Sequence, residues 1–311
     1  MLLCKKRMGT KIFLAVSTMS VIVYTFILFL SPPNTAPLLT KNTPYIAVPT
    51  TTPLSLDAQI TTIYTIAKTD PALAIISLKE FIADQPASMN ECHEIAHEIG
   101  HISYKHFGEQ AFAFKDPLCG GGYLHGLIET ATIFDETMSL AGIVHTVCFG
   151  DVEESCLHGL GHAIYKSVLD IPASLRYCDK VRTNNKDCYD GVYMEVFDRE
   201  EGPDFSVAAG IEICATATTP TKLSCLFYLP RLLKNNEPST VTSLCTDFLE
   251  QSEQLTCAQG SGVMFMKYAS RFELDTVTKQ CGTYIDTALR NACTIGVNAY
   301  YKYGNVTNTE W

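Results

Sequence analysis

The sequence CHEIAHEIGH, which starts at position 92, contains three histidines at intervals of four residues. On an α-helix a step of four residues returns to within about 40° of the starting direction, so His93, His97 and His101 form one stripe. Glu94 and Glu98 each follow a histidine and lie on the adjacent stripe. Two imidazoles at positions i and i+4 with an intervening glutamate form the pattern of an open zinc site, in which the glutamate acts as general base.

Further candidate ligands follow in the same half of the chain. All eight histidines fall between residues 93 and 162, and none occurs after residue 162. His158 and His162 repeat the four-residue step, and acidic residues occur at positions 129 and 195. We predict a site for zinc, or for another divalent transition metal such as iron, with Glu94 and Glu98 as candidate bases. The candidate metal ligands are His93, His97, His101, His125, His158, His162, Glu129 and Glu195.

A histidine stripe also has a purely structural explanation. Imidazoles between packed helices form hydrogen-bonded polar seams, which acidic partners stabilise. The sequence leaves this alternative open. His106 and His145 fall outside both spacing patterns, and we interpret them as ordinary surface or packing residues.

The motifs HEIAH and HEIGH, which overlap at His97, resemble the HExxH motif of zincin metallopeptidases. This resemblance implies a zinc ion held by two motif histidines and a third protein ligand, with hydrolysis as the reaction. In the gluzincin form the third ligand is a glutamate on a later helix, which Glu129 or Glu195 would supply. The His-Glu pairs also resemble those of HEAT-like di-iron hydroxylases, which implies a metal held between the helices of successive repeats.

The cysteines predict a disulfide framework. Twelve of the thirteen follow residue 90, an even number that is typical of an exported domain, whereas Cys4 stands apart near the N-terminus. Cys92 and Cys119 are partners by elimination, because the other ten form close pairs. These pairs are Cys148 with Cys156, Cys178 with Cys188, Cys214 with Cys225, Cys245 with Cys257, and Cys281 with Cys293.

A repeated phrase accompanies these pairs. Six phrases begin with a cysteine, start 32 to 37 residues apart, and have glycine three residues after the cysteine in five cases. This period is typical of two-helix repeats. We predict an all-α fold of disulfide-stapled helix-pair repeats, an α-solenoid, in which segments 70–84 and 92–104 form the first hairpin. The spacing over residues 92–301 resembles that of disulfide-bridged Sel1-like repeats, which implies an exported, curved scaffold with a binding surface.

The N-terminal region predicts a membrane anchor. Residues 1–11 are basic, residues 12–30 are apolar and uncharged, and no acidic residue precedes Asp57. About 20 apolar residues span a bilayer, and basic flanks stay in the cytoplasm. A cleaved signal peptide is the alternative, but the apolar stretch is long and runs into Ser31-Pro32-Pro33 rather than an A-x-A-like site. Residues 31–55, rich in Pro and Thr, form the predicted linker to an extracytoplasmic domain at 56–311.

The charge composition narrows the classes of partner that the domain could bind. The domain at 56–311 carries all 33 acidic residues but only 18 of the 23 Lys and Arg, which argues against nucleic acid as a partner. We predict a single-pass, membrane-anchored, extracytoplasmic metal-binding repeat protein, with a zinc-dependent hydrolase as its enzymatic form. The alternative is a non-catalytic scaffold that binds a protein partner on the solenoid surface and uses its histidines as a structural seam or structural metal site.

Overall fold

The computed structural model describes residues 54–134, 148, 153–180, 185–198, 206–270 and 273–304. All regular secondary structure within these ranges is helical. Short 3-10 helices cover Pro86–Glu91, Gly108–Ala113, Leu229–Leu233 and Lys279–Thr283. The α-helices are α1 (Leu56–Ala67), α2 (Pro71–Asp84), α3 (Cys92–Phe107), α4 (Leu118–Phe134), α5 (Glu153–Val168), α6 (Ile171–Cys178), α7 (Lys186–Asp198), α8 (Val207–Thr216), α9 (Thr219–Tyr228), α10 (Pro238–Thr246), α11 (Gln251–Lys267), α12 (Leu274–Thr278) and α13 (Thr287–Gly304).

Several predicted features lie outside the described residues. The predicted membrane anchor at 12–30, the predicted linker up to residue 53, Cys4 and His145 all belong to this group. Among the helices that are described, none has the length and apolar character needed to cross a bilayer.

Local sequence signals define where several helices begin. The side chains of Asp70, Asp170 and Ser206 each accept a hydrogen bond from the backbone N–H three residues later, so they act as N-caps of α2, α6 and α8. Proline occupies the first turn of α2 and α6. A backbone N–H at this position would have no acceptor within the helix, so proline, which lacks that N–H, is tolerated there. These caps fix the first turn of the outer helix in three of the repeats.

The inner helix of each repeat packs beside the inner helix of the next. The inner helices are α3, α4, α5, α7, α9, α11 and α13, and they contact one another in chain order. The end of the series returns to its beginning: α13 contacts α4, and Asn90 Nδ2 donates a hydrogen bond of 2.6 Å to Ala269 O. The inner helices therefore surround a central space. The repeat period predicted the stack of hairpins but not this closure.

Six disulfides hold the described repeats, and they confirm the pairing that the sequence spacing predicts. The bonds join Cys92 to Cys119, Cys148 to Cys156, Cys178 to Cys188, Cys214 to Cys225, Cys245 to Cys257, and Cys281 to Cys293.

The position of each disulfide in its repeat explains what the bond does. Cys178 and Cys188, with their Cα atoms 5.6 Å apart, connect the end of α6 to the start of α7. Cys225, Cys257 and Cys293 likewise lie on inner helices, α9, α11 and α13, and each is bonded to a cysteine 11 or 12 residues before it in the sequence. The Cys92–Cys119 bond instead joins two inner helices, α3 and α4. Covalent links of this kind restrict the unfolded chain and suit repeats that bury little core individually.

The repeated glycines allow neighbouring inner helices to touch through their backbones. A Cβ atom on Gly191 of α7 would lie 2.0 Å from the carbonyl oxygen of His158 on α5. A Cβ atom on Gly296 of α13 would lie 2.0 Å from the carbonyl oxygen of Gln259 on α11. Only glycine fits such an approach, which explains why the Cys-x-x-Gly phrase recurs.

We expect Gly191→Ala to lower the free energy of unfolding by about 3 kcal/mol, because the new methyl group can be accommodated only if two backbones separate. Gly282→Ala is the matched control, since nothing lies within 4 Å of its added Cβ, and we expect a change within about 0.5 kcal/mol. Denaturant unfolding with intact disulfides measures both values. Equal stability of the two variants would contradict the backbone contact.

Candidate metal centre

Equivalent positions on successive inner helices face the central space. Six residues after the phrase cysteine stand His125, His162, Met194, Arg231, Val263 and Ala299, and each of them lines a cavity inside the ring. Ten residues after the cysteine stand Glu129, Lys166, Asp198 and Lys267, which also line a cavity. The repeat therefore brings chemically different residues to one place.

Six histidines form a continuous cluster across α3, α4 and α5. The ring centroids of His97 and His101 are 4.6 Å apart, and those of His93 and His125 are 5.2 Å apart. His125 in turn lies 5.7 Å from His162, centroid to centroid. His158 completes the cluster at 5.4 Å from His125. The rings that the spacing placed on shared stripes thus meet in space.

Two imidazoles of α3 face one carboxylate of α4. His97 Nε2 lies 3.2 Å from Glu129 Oε1, and His101 Nε2 lies 3.6 Å from Glu129 Oε2. His101 Nδ1 is 2.6 Å from Thr130 Oγ1, which donates its own proton to the carbonyl of Gly126. His101 Nδ1 therefore donates to Thr130, and the lone pair of the ring is on Nε2, toward Glu129. Such a second contact orients a metal-binding imidazole.

The same carboxylate belongs to a second group of converging ligand atoms. Glu129, His162 and Glu195 offer atoms that lie within 4.8 Å of one another, as His97, His101 and Glu129 do in the first group. His162 Nδ1 is 3.1 Å from Glu195 Oε2. Lys166 Nζ donates to Glu129 Oε2 at 2.8 Å and lies 3.9 Å from Glu195 Oε2. Glu129 is therefore shared between two candidate ligand sets, and an ammonium group lies beside both carboxylates of the second set.

The environment favours a charged carboxylate at Glu129 and neutral imidazoles at His93 and His101. Burial by itself would raise the pKa of Glu129, but the hydrogen bond from His97 and the nearby charge of Lys166 outweigh it and hold that pKa well below its usual range. Burial lowers the pKa of His101 to about 4 and, with His97 and Lys267 acting in the same direction, that of His93 to about 4. Deprotonated carboxylate and neutral imidazole are the forms that bind metals.

The other predicted histidine ligands have different partners. His93 Nδ1 donates to the carbonyl of Cys119 at 2.7 Å, and His125 Nε2 donates to the carbonyl of Ser155 at 2.8 Å. His158 Nε2 lies 3.2 Å from Met194 Sδ. Burial lowers the pKa of both His125 and His158 well below the usual histidine value. These three imidazoles surround the converging groups without belonging to either.

The two predicted bases do not belong to the converging groups, although Glu94 lines the same cavity as Glu129. Glu94 is 65% exposed at its side chain, and its Oε1 is 3.9 Å from Lys267 Nζ. Glu98 lies near Tyr64 of α1, where burial and the charge of Glu98 raise the pKa of that phenol. Neither glutamate belongs to the converging groups found among the described residues. His106, as expected for a residue outside the pattern, is exposed.

The centre borders a large cavity. A space of about 760 Å³ is lined by His97, Glu129, His162 and Glu195, and a second space of about 270 Å³ is lined by His125 and other residues toward the N-terminal ends of α4, α5 and α7. Ligand pockets for small molecules commonly measure about 300 to 1,000 Å³. A small molecule in the larger cavity would therefore reach the shared carboxylate.

Three cavity residues, Lys166, Asp198 and Lys267, were not predicted from the sequence. Lys166 stands four residues after His162 and so continues the histidine stripe of its helix. Asp198 stands ten residues after Cys188, the same repeat position as Glu129 after Cys119. Both relations could have identified these residues from the sequence. Thr130 carried no such signal, because its hydrogen bond to His101 depends on how α3 and α4 pack.

Comparison of the chain with family models, with curated proteins and with solved structures finds no match.

Proposed function

We propose that this protein is a metal-dependent hydrolase that holds a divalent transition metal, zinc in the first place, at His97, His101 and Glu129. The observation that carries the proposal is the buried carboxylate of Glu129, only 3% exposed, with imidazole nitrogens of α3 at 3.2 Å and 3.6 Å. Two histidines and one glutamate, with one position left for water, form a common catalytic zinc set. The adjoining cavity supplies access for that water and for a substrate.

The surrounding residues have separate roles in this reaction. Zinc, when bound, lowers the pKa of its water to about 7 and polarises the bond to be cleaved. Glu195, whose carboxylate converges with that of Glu129, is the residue that we assign as general base in place of Glu94 or Glu98. Lys166 compensates part of the charge of the two carboxylates, and Thr130 orients His101. Water would attack the electrophilic atom and give a proton to Glu195, and Glu195 would return that proton to the leaving group as the bond between this group and the electrophilic atom breaks.

We further propose that the domain works outside the cytoplasm, anchored by residues 12–30 with the N-terminus inside. The six disulfides support this location, because such bonds persist in oxidising compartments. The basic N-terminal segment and the apolar stretch behind it support the orientation.

Elemental analysis tests the metal directly. We expect the full chain, purified with its disulfides formed and with zinc and iron supplied, to contain about one zinc ion per molecule, as one His-His-Glu set requires. His101→Ala should lose that ion, because it removes a ligand, whereas His106→Ala should retain it, because His106 is an exposed histidine of the same helix. Absence of metal from the wild-type chain, or its retention in His101→Ala, would contradict the proposal.

A dinuclear centre is a variant of this proposal. The shared carboxylate of Glu129 supports it, because a second ion at Glu129, His162 and Glu195 would be bridged to the first. The resemblance to HEAT-like di-iron hydroxylases implies a metal held between the helices of successive repeats, which agrees with such a centre. Two metal ions per chain in the same analysis would favour the dinuclear variant over a single ion.

The second candidate function is a non-catalytic scaffold with a structural polar seam. The ion pair of 2.8 Å between Lys166 and Glu129 supports it, because the buried carboxylate already has a cationic partner. A scaffold of this kind would present its outer helices to a protein partner, as the resemblance to Sel1-like repeats implies. The scaffold function predicts no bound metal and no change in melting temperature after chelation. The hydrolase predicts a change, because a metal whose free concentration is 100 times its dissociation constant stabilises the folded chain by about 2.7 kcal/mol.

A further inference from the structure

A second charged cluster lies inside the ring around Asp198 of α7. Its carboxylate accepts hydrogen bonds from Arg231 Nη1, from Tyr268 Oη and, at 2.6 Å, from Lys267 Nζ. Lys234 Nζ lies 3.6 Å from the same carboxylate. Three cations thus share one buried anion, and they come from two different parts of the repeat array.

Among the residues that the structure describes, this cluster carries more positive than negative charge. Besides Asp198, the described anion that contacts the cluster is Glu94, which is mostly exposed and 3.9 Å from Lys267. Arg231 and Lys267 are only 4% and 11% exposed at their side chains, so water compensates them poorly. Burial, and then the charge of Arg231, lower the pKa of Lys267 despite the neighbouring carboxylates. The surplus positive charge is therefore held in a poorly solvated place.

The aromatic ring of Tyr268 helps to fix both lysines in position. Lys234 Nζ lies 5.2 Å and Lys267 Nζ 5.4 Å from the ring centroid of Tyr268, within the range of cation–π attraction. Because the ammonium groups are held in place, a ligand would lose less side-chain entropy on binding them.

The cluster and the candidate metal centre share one cavity. Lys234, Lys267 and Tyr268 line the same 760 Å³ space as His97 and Glu129. Lys267 also lines the smaller cavity, together with Arg231. One molecule in the larger cavity would contact cations with one part and the His/Glu centre with another.

We propose that Lys234 and Lys267, backed by Arg231, form an anion-binding subsite, and that the substrate is a small molecule with a carboxylate or phosphate group distant from its reacting bond. The second half of this inference rests on the proposed hydrolase function, whereas the subsite itself does not. Charge-assisted hydrogen bonds from lysine and arginine are the usual means by which proteins hold such groups.

Calorimetric titration of the full chain with inorganic phosphate and, separately, with acetate tests the subsite at low ionic strength. We expect binding in the metal-loaded and in the chelator-treated protein, and a loss of about tenfold in affinity in Lys234→Met, since one charge-assisted contact is removed. Lys234 is 31% exposed at its side chain, so its replacement leaves the buried cluster intact. Lys79→Met, which removes an equal charge from a surface pair with Asp116, should bind as the wild type does.

The preferred anion narrows the substrate class. Tighter binding of phosphate would indicate a phosphorylated compound, and tighter binding of acetate a carboxylate. Failure of both anions to bind the wild-type chain would overturn the inference, as would wild-type affinity in Lys234→Met and Lys267→Met together. Metal content separates the two proposals: if the wild-type chain, purified with zinc and iron supplied, holds no metal but still binds the anion through Lys234, the subsite is supported and the hydrolase is refuted.

Discussion

Glu129→Gln should weaken metal binding by more than about 100-fold, the largest functional effect that we expect of any single substitution. Removing a residue that only hydrogen-bonds to a metal ligand already lowers metal affinity about 10- to 100-fold. Glu129 is itself a ligand candidate in both converging sets, so its replacement should have a larger effect. The amide also lacks the negative charge that now compensates Lys166 and balances a divalent ion. Metal titration with a competing chromophoric chelator measures the dissociation constant.

Glu98→Gln is the matched control for this experiment. It makes the same chemical change on α3, in the glutamate of the HEIGH motif, but Glu98 lies toward Tyr64 and outside the converging groups. We expect its metal affinity to stay within about twofold of the wild type. If Glu98→Gln released the metal and Glu129→Gln retained it, the ion would be bound elsewhere and the assignment of the centre would be wrong.

Acidification should destabilise the metal-free protein between about pH 6.5 and pH 4. The pKa values of His93 and His101 are about 4 in the folded chain, chiefly because of burial, against the ordinary 6.5. Above pH 6.5 both rings are neutral in the folded and in the unfolded chain, so protonation of these rings does not reduce the free energy of unfolding. Between these values the unfolded chain binds protons that the folded chain does not, and the free energy of unfolding falls by about 1.4 kcal/mol per pH unit for each histidine.

Denaturant unfolding at half-unit pH intervals measures this slope. His101→Gln should make it shallower by the contribution of one histidine, whereas His106→Gln should leave it unchanged because His106 is exposed. A stability that stays constant from pH 6.5 to pH 4.5 in the metal-free chain would show that the imidazoles of His93 and His101 are solvated and would contradict their burial beside the centre.

Much of the local organisation can be predicted from the sequence. The step of four residues placed His97 and His101 on one face of α3, because the helical period is a property of the chain alone. The cysteine spacing predicted the pairing of the twelve cysteines that follow residue 90, because five pairs are separated by only 8 to 12 residues and leave Cys92 and Cys119 as partners. The repeated glycine helped to define the repeat, but only the packing of the inner helices shows that it lies where two backbones meet.

The tertiary structure decided which of those residues meet. A repeat period shows that neighbouring units stack, but closure of the array depends on small rotations accumulated at each interface, which the sequence does not display. Closure brought Lys267 to Glu94 and placed Asp198 among cations from other repeats. The packing of α4 between α3 and α5 selected Glu129 as the shared carboxylate and gave it Lys166 as a partner. The sequence therefore determined the candidate ligands and their helices, whereas the angles between helices determined which ligands share a centre.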